Sequence, residues 1–337
     1  MKIKSKIGLF EGKSVDEISL VSDKGVELSF LNWGATLRDW RVPVGNKLRS
    51  VVLGFDDFKF YPDHSPNFGC IVGRVANRIS NSQFSINNQS YSLTPNVGAH
   101  HLHGGPEGLG RRVWDYDIDS SEQRIKFYFK SLSGEMGYPG NLNVEAVYTL
   151  KDYTLSLEIS AQVDQETPIN LVPHHYFNLG ESPIILDHHC QIDGISYVEL
   201  NDDLLPTGEI IPVESTRYDF RKMRTLEAKD PRDEDFDITI VLDPKRNQSN
   251  PAAQVLSPNK DLQLKLWTNQ PSLQLYNSMW TDVSVPGLSG ATYKKHAGLC
   301  LEDQMFPDAV NHNNFPSILH GPDKAYYHSN SIEISPL

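Results

Sequence analysis

The sequence has few cysteines and no long apolar run, and each shortage argues against a class of protein. Only three of the 337 residues are cysteine, namely Cys70, Cys190 and Cys300, and they lie far apart. A disulfide framework is therefore not expected, and a reducing, cytoplasmic compartment is. No apolar run reaches the roughly 18 residues of a membrane span, so none is expected. The basic N-terminus also lacks the continuous apolar segment of a secretory signal.

Basic residues are scarce as well. The chain has 31 Lys and Arg against 43 Asp and Glu, a net charge of -12. No block of Lys and Arg could follow a phosphate backbone, so a nucleic-acid partner is not expected. A Gly-x-Ser-x-Gly nucleophile motif and a Walker loop are both missing, which argues against serine hydrolases and P-loop enzymes.

Long helical patterns are rare, and alternation of apolar and polar residues dominates. Helices are predicted only at residues 56–61 and 222–229, and long loops at residues 95–114 and 243–259. Strands are predicted at residues 26–30, 83–86, 91–93, 125–129, 143–150, 153–163, 262–267, 272–276 and 331–334. No fixed-period repeat or linker interrupts this pattern. It predicts one large antiparallel all-β domain over residues 1–337, built as two packed sheets forming a β-sandwich.

Residues 298–316 combine a short apolar run with a dense polar stretch. The apolar residues 299–301 predict a strand, and Glu302 would stand at its end. Asp303 and Gln304 would then begin a polar loop. A carboxylate held at a strand end has a fixed direction, which suits a catalytic base. The alternative is a solvated edge carboxylate.

Residues 73–79 place Asn77 between Arg74 and Arg78. Two forked guanidinium donors and an amide suit the recognition of hydroxyls or carboxylates. The alternative for either arginine is an ordinary salt bridge.

Residues 100–105 contain His100, His101 and His103 followed by two glycines. In a strand, His101 and His103 would share a face, which suggests a metal site. Imidazole sites are usually completed by other ligands, and no cysteine or acidic cluster lies nearby. No metal is therefore expected.

Residues 170–179 carry two adjacent histidines after a long predicted strand. Alternation places His174 and Tyr176 on one face, and His175 and Phe177 on the other. One histidine would face a cleft, while the other would lie in the core or at the surface. For either one the alternative is a hydrogen-bonded structural histidine. An acid and a base on separate strands, flanked by arginine, asparagine and glutamine, indicate a site for a sugar-like polyol.

Together these four stretches, in this order, resemble those of the aldose 1-epimerases, the galactose mutarotases. The resemblance runs from residues 32–37 (Asn-Trp-Gly-Ala-Thr-Leu) to the region of Tyr326 and Tyr327. It implies a galactose-mutarotase-like supersandwich that interconverts the α and β anomers of a free aldose, without a metal or organic cofactor. The expected partner is a monosaccharide, and the expected assembly is a monomer or homodimer.

The resemblance also implies a role for each candidate site residue. Glu302 matches the base that takes the proton from the anomeric hydroxyl, and His174 matches the acid that protonates the ring oxygen. His103 matches a second histidine near the same part of the sugar. Four further residues match the family's sugar-binding positions, namely Asn77, Arg78, Asp237 and Gln274.

The chain departs from the family pattern at Val172, Pro173, His175 and Ile238, and these departures bear on which sugar is preferred. Two alternatives share the fold. A sugar-phosphate 1-epimerase would need basic residues at the rim of the pocket, for which Arg111, Arg112, Lys294 and Lys295 are candidates. A non-catalytic sugar-binding protein would lack the acid or the base.

Overall fold

The computed structural model describes residues 2–227 and 235–337, and strands make up most of its regular structure. Strand β27 is the last within these residues. In chain order the strands are β1 Lys2–Phe10, β2 Lys13–Val21, β3 Glu27–Leu31, β4 Thr36–Val44, β5 Lys47–Ser50, β6 Ile71–Val72, β7 Arg78–Ile79, β8 Gln83–Ile86, β9 Gln89–Ser92, β10 His101–Leu102, β11 Asp115–Asp119, β12 Arg124–Ser131, β13 Leu142–Lys151, β14 Thr154–Val163, β15 Thr167–Pro168, β16 Val172–Pro173, β17 His189–Ile192, β18 Gly194–Leu200, β19 Pro206–Pro212, β20 Arg224–Thr225, β21 Asp237–Leu242, β22 Ala253–Leu256, β23 Leu262–Thr268, β24 Ser272–Tyr276, β25 Cys300–Gln304, β26 Leu319–His320 and β27 Tyr326–Pro336.

Three sheets contain most of these strands, and their neighbouring strands run antiparallel. The first has five strands in the order β1-β2-β3-β4-β5. The largest has nine strands in the order β11-β12-β13-β14-β27-β23-β22-β17-β20. The third has five strands in the order β19-β18-β21-β24-β25. Short two-stranded pairs, including β16-β6 and β10-β7, lie between them.

The nine-stranded sheet forms one layer, and both five-stranded sheets pack on it. Phe30 of β3 contacts Tyr148 of β13, with ring centroids 4.8 Å apart. Asp303 of β25 reaches His328 of β27 at 2.6 Å. A single core cluster contains apolar residues from all three sheets. The large antiparallel β-sandwich expected from the sequence is confirmed.

The two five-stranded sheets meet at Phe177. This residue forms isolated antiparallel bridges to Val52, which follows the first sheet, and to Leu299, which precedes β25. The segment that carries His174 therefore runs between the two sheets.

Alternation explains the long strand pair β13 and β14. The apolar residues of β14 are buried on one face while their neighbours are more exposed, because successive side chains point to opposite sides of a sheet. The predicted inward set Leu155, Leu157, Ile159 and Ala161 is buried, as expected.

Helices are few and short within the described part of the chain. Helix α1 is Tyr61–His64, and a 3-10 turn at Phe58–Phe60 precedes it. The side chain of Asp57 accepts the Lys59 N–H at 3.0 Å and starts this turn. The helix predicted at residues 56–61 is therefore right only in part, since residues 58–60 form the 3-10 turn and the α-helix shares only Tyr61 with the predicted range. None of the described helices has the length and apolar character needed to cross a membrane.

Three sequence predictions need correction. Residues 222–227 do not form the predicted helix, since Arg224–Thr225 is strand β20 and pairs with Cys190 and His189 of β17. Residues 228 and 229 of that prediction lie outside the described residues. Pairing at a sheet edge has overridden local helix propensity there. The loop predicted at residues 243–259 contains strand β22, and that at residues 95–114 contains β10.

Cys70, Cys190 and Cys300 are all free and buried. Burial keeps these three side chains away from solvent.

Candidate active site

Three neighbouring strands of the second five-stranded sheet carry a row of polar side chains. Asp237 begins β21, Gln274 lies at the centre of β24, and Glu302 lies at the centre of β25. The register pairs Gln274 with Thr239 on one side and with Glu302 on the other. Because paired residues of adjacent strands point to the same face, these side chains converge on one cavity.

The sequence prediction placed Glu302 at a strand end, and this is wrong. Strand β25 continues through Asp303 to Gln304, and both residues are buried. Asp303 and Gln304 therefore do not begin a polar loop. Hydrogen-bond partners from distant strands satisfy Asp303 inside the core, and local sequence gives no sign of them.

His174 faces Glu302 from the segment after strand β16. The His174 N–H donates to the Cys70 carbonyl at 2.9 Å, which fixes the backbone of this segment. The His174 ring stacks on Tyr176 at 4.9 Å between centroids. Its Nε2 atom lies 3.6 Å from Oε2 of Glu302. His174 and Glu302 are thus brought together across the cavity.

His175 points the other way, as alternation predicts. Its ring contacts Phe177, with centroids 5.8 Å apart, and it does not line the cavity. It is nonetheless buried rather than solvent-exposed. His175 is therefore the core histidine of the adjacent pair.

His103 enters the cavity through a reciprocal contact with Asn77. The Asn77 N–H donates to Nδ1 of His103 at 3.2 Å, and the His103 N–H donates to the Asn77 carbonyl at 3.1 Å. Both residues have positive φ angles, 61° for Asn77 and 52° for His103. Since Nδ1 of His103 accepts a hydrogen bond, the proton of the neutral ring is on Nε2, which is a donor.

His101 does not share the face of His103, so that prediction is wrong. Nδ1 of His101 lies 2.7 Å from the Thr94 carbonyl, and the Tyr138 hydroxyl lies 2.8 Å from its Nε2. The left-handed backbone at His103 breaks the alternation that the prediction assumed. His101 is a hydrogen-bonded structural histidine.

Asp237, Gln274 and Arg78 form one connected group. The Gln274 amide donates to Oδ1 of Asp237 at 2.6 Å, while its carbonyl accepts from the Thr239 hydroxyl. Arg78 lies 3.9 Å from Oδ2 of Asp237. These contacts fix which end of the Gln274 amide is the donor. Burial raises the pKa of Asp237, and Arg78 and Gln274 oppose that rise.

Arg74 does not belong to this group. Its guanidinium donates to the carbonyls of Ser131, Leu132 and Pro139 and to the Ser131 hydroxyl. Burial lowers the pKa of Arg74 to about 10. Of the two arginines of residues 73–79, Arg74 therefore lies in the core and Arg78 lines the cavity.

Burial moves the pKa values of the facing acid and base in opposite directions. It raises the pKa of Glu302 well above its usual value; Asp237 and Asp303 add to the rise and Arg78 opposes it. Burial lowers the pKa of His174 to about 3. It also holds the pKa of His103 well below its ordinary value, with help from His174 and Arg78. A buried site disfavours every charged form, which accounts for all three directions.

The cavity encloses about 160 Å³. All seven candidate residues from the sequence line it, since Glu302, His174, His103, Asn77, Arg78, Asp237 and Gln274 each contribute to the wall. The residues that the sequence prediction did not assign are Pro66, Asn67, Leu102, Tyr176, Tyr276 and Trp280. Alternation had placed Tyr176 on the His174 face. Trp280 is 64% exposed at the rim, and its position in a loop gave no local signal.

One group of potential metal ligands occurs in the described residues, formed by His103, His174 and Glu302, with ligand atoms within 4.8 Å of one another. A histidine that binds a metal usually donates its other ring N–H to an acceptor. His103 does the reverse, because its Nδ1 accepts the Asn77 N–H. Its Nε2 therefore carries a proton where a metal would need a lone pair, and the three residues do not fit a metal centre.

The chain is similar to known proteins over most of its length. The family model for aldose 1-epimerases matches residues 16–333. Galactose mutarotase from Bos taurus is 36% identical over 327 residues, covering 96% of this chain and 94% of the relative. Aldose 1-epimerase from Escherichia coli (strain K12) is 31% identical over 315 residues, covering 91% and 90%.

Solved structures give the same result. A homologue of aldose epimerase from C. elegans aligns with a TM-score of 0.89 at 30% identity, covering 95% of this chain and 99% of that one. Galactose 1-epimerase from Lactobacillus acidophilus NCFM aligns with a TM-score of 0.85 at 28% identity, covering 99% of each chain.

Proposed function

The chain belongs to the aldose 1-epimerase family, and from that premise we propose that its cavity interconverts the α and β anomers of a free aldose of the galactose or glucose type. Glu302 is the base and His174 is the acid. The observation that carries this proposal is the 3.6 Å approach of His174 Nε2 to Glu302 Oε2 inside a small polar cavity. A sugar placed there would bring O1 and O5, both bonded to C1, within reach of these two groups.

The reaction needs two proton transfers and no redox change. Glu302 takes the proton from the O1 hydroxyl while His174 gives a proton to O5, and the C1–O5 bond breaks to leave an open-chain aldehyde. Rotation about the C1–C2 bond presents the other carbonyl face to O5. Reversal of both transfers closes the ring as the other anomer. Each positioned acid or base typically contributes roughly 10²–10⁴ in rate.

The proton count of the pair fits this cycle. Glu302 has a raised pKa and His174 a lowered one, so over the range between the two values the pair holds one proton. Before the sugar enters, both pKa directions favour Glu302 as the site of that proton. When the sugar enters, its O1 hydroxyl and O5 lone pairs can stabilise the form with a Glu302 carboxylate and a His174 imidazolium. The catalytic form therefore requires no net uptake of a proton.

The other polar side chains hold the ring. His103 offers its Nε2–H to the same part of the sugar, since its Nδ1 is occupied by the Asn77 N–H. Asp237, Gln274 and Arg78 present an acceptor, a fixed amide and a guanidinium to the remaining hydroxyls. Buried hydrogen-bonding groups of this kind reject sugars that leave them unpaired.

A sugar-phosphate substrate is not favoured. Among the described residues, Arg78 is the only Lys or Arg in the cavity lining. The basic residues considered for a phosphate are engaged elsewhere, and none lines the cavity. Arg111 contacts the Pro62 carbonyl, Arg112 lies near Glu11, Glu107 and Glu135, Lys294 pairs with Asp282, and Lys295 pairs with Asp235. A non-catalytic sugar-binding protein is not favoured either, because the acid and the base are both present and face each other.

The same proposal covers the extent of the unit and its partners. Residues 1–337 act as one domain that takes a monosaccharide and works as a monomer or homodimer. Support comes from the core cluster, which includes residues as distant in sequence as Ile18 and Ile334. A single cooperative unfolding transition and a sedimentation measurement of mass would test both points.

Polarimetry with freshly dissolved α-D-galactose and α-D-glucose tests the reaction, with glucose 6-phosphate as the competing substrate. Glu302→Gln and His174→Asn should each lower kcat far more than they raise KM, because the transition state loses more than the ground state does. Their effects should not add, since each proton transfer is useful only with the other. His175→Ser is the matched control, as it changes the adjacent histidine on the opposite face.

If Glu302→Gln kept a near-normal kcat while sugar binding failed, Glu302 would be a binding residue only. The base would then have to be Asp237 or His103. Faster turnover of glucose 6-phosphate than of glucose would overturn the choice of a free aldose.

A further inference from the structure

Directly behind the catalytic strand, both ring nitrogens of His328 face oxygen acceptors. Its Nδ1 lies 2.9 Å from the Leu171 carbonyl, and its Nε2 lies 2.6 Å from Oδ2 of Asp303. A carbonyl and a carboxylate can only accept hydrogen bonds, so both ring nitrogens must donate. His328 is therefore an imidazolium, although it is 1% exposed.

The hydrogen bonds around Asp303 show that it is the matching carboxylate. Besides His328, the Thr268 hydroxyl donates to Oδ2, and the Asn330 amide donates to Oδ1 at 2.9 Å. The Thr268 hydroxyl accepts the Gln270 N–H, so its own proton is free to point at Asp303. Both oxygens of Asp303 therefore act as acceptors, as those of a carboxylate do. Burial alone would lower the pKa of His328, but the charge and hydrogen bond of Asp303 and the Leu171 carbonyl raise it overall.

The place of this ion pair in the fold connects the two halves of the catalytic site. Asp303 directly follows Glu302 in β25 and points to the opposite face. Leu171, which receives the other hydrogen bond of His328, lies on the segment that leads through β16 to His174. One imidazolium on β27 therefore links the strand that carries the base to the segment that carries the acid.

We propose that Asp303 and His328 are positioning residues of the epimerase site, a buried ion pair that fixes the spacing of Glu302 and His174 and sets the charge behind them. The inference rests on the proposed function, because it assigns a task relative to that acid and base. Removing His328 leaves the Asp303 carboxylate without its counter-charge, and removing Asp303 takes away the negative charge next to Glu302, so each end has its own electrostatic effect.

Other charged and titratable groups also face Glu302, and the substitutions in the pair leave their identities unchanged. From the elements packed against it these are Arg78, His103, His174, Tyr176, Asp237 and Tyr276 in the cavity, Cys70 before β6, and Cys300 on its own strand. Around His328, the titratable neighbours are Asp303, Tyr326 and, through Asp303, His175. A change in pH profile on altering Asp303 or His328 therefore reports the pair itself.

The test compares Asp303→Asn, His328→Gln, their double variant and Tyr326→Phe by the pH profile of kcat/KM in polarimetry. Removing the negative charge should move both limbs to lower pH, and removing the positive charge should move them to higher pH, each by on the order of one pH unit. The double variant should return the limbs close to their original positions. Tyr326→Phe loses a hydroxyl bonded to the same Leu171 carbonyl but no charge, so its limbs should not move.

Opposite shifts from the two ends of one pair would not arise from loosened packing. Limbs that stay fixed, or that move in the same direction in both single variants, would overturn the proposal even if kcat falls. Nitrogen-15 NMR of the histidine rings in the unaltered protein covers the case in which a variant does not fold. One histidine ring, that of His328, should have both nitrogens protonated at pH 7.5. If no ring is doubly protonated, the proposed ion pair is wrong.

The NMR result does not depend on catalysis. Failure of the proposed function would appear instead as near-normal turnover in Glu302→Gln. The two failures can therefore be told apart.

Discussion

Nε2 of His174 lies 3.6 Å from Oε2 of Glu302, and burial gives the histidine the lower pKa and the glutamate the higher one. Reference pKa values predict the reverse order, with the glutamate limb at acidic pH. The geometry of this pair was foreseen in part from sequence. Which of the two residues has the higher pKa depends on burial, which the sequence does not reveal.

The first prediction concerns the pH profile of kcat/KM. The active pair carries one proton, so activity should be lost when pH falls through the lower value, about 3 for His174. Activity should be lost again when the pH rises through the raised pKa of Glu302. Polarimetric rates at constant ionic strength across this range would show a broad plateau with these two limbs.

His174→Asn should remove the acidic limb from the residual activity, and Glu302→Gln should remove the basic limb. If the acidic limb disappeared in Glu302→Gln instead, Glu302 and not His174 would have the lower pKa, which would contradict this prediction.

The second prediction concerns stability. The pKa of Glu302 is higher in the folded than in the unfolded protein, so the folded state binds more protons over the interval between the two values. The stability of the protein should therefore be greatest below the pKa that Glu302 has in the unfolded chain. It should decline as the pH rises through the pKa that Glu302 has in the folded protein. Glu302→Gln removes this decline and should stabilise the protein by about 0.5–2 kcal/mol at pH 8.

Urea unfolding of both proteins at pH 4.5 and at pH 8 would measure the difference. If the unaltered protein were equally stable at the two pH values, the pKa of Glu302 would not be raised by burial as proposed.

The third prediction concerns His175. Its ring packs against Phe177 away from the cavity, and its Nδ1 has no hydrogen-bond partner among the described residues. His175→Ser should therefore keep kcat within about tenfold, equivalent to roughly 1.4 kcal/mol. A loss as deep as that of His174→Asn would show that the two histidines have exchanged roles.

The fourth prediction separates Arg74 from Arg78. Arg74→Gln leaves several buried carbonyls without donors and should lower the free energy of unfolding by about 2–4 kcal/mol, with little change in kcat/KM for the folded fraction. Arg78→Gln should reduce kcat/KM with a smaller effect on stability, because it lies beside Asp237 in the cavity. Thermal unfolding and polarimetry on the same samples would distinguish them, and the opposite pattern would reassign both arginines.

The fifth prediction is that activity needs no metal. The proton on Nε2 of His103 prevents the three cavity groups from acting together as ligands. Dialysis against a chelator should leave the rate of mutarotation unchanged. Loss of the activity on chelation, restored by a single metal, would contradict the reading of this tautomer.

Alternation within strands made much of this molecule predictable. It located the long strand pairs and placed His174 and Tyr176 on one face with His175 on the other, because a pleated strand fixes side-chain direction locally. The candidate site residues were chosen from four polar stretches and, for Asp237 and Gln274, from the resemblance to the aldose 1-epimerase family. The convergence of all seven on one cavity agrees with that choice, and their individual roles remain predictions.

The misplaced features depend on long-range partners. Asp303 looks like a loop residue until His328, Thr268 and Asn330 are seen to surround it, and these lie on other strands. The positive φ of His103 is held by Asn77, which local alternation cannot anticipate. Trp280 reaches the rim through a loop whose path is set by the assembled sheet.

The bridges from Phe177 to Val52 and to Leu299 have a consequence for how the chain folds. During synthesis the segment of His174 is made before the strand of Glu302. Phe177 therefore has no Leu299 to pair with until residues 178–298 have been added. Contacts so distant in sequence form slowly. Chains that end before Leu299 would accordingly leave this edge unpaired, and the acid and the base can meet only after the strand of Glu302 has been added.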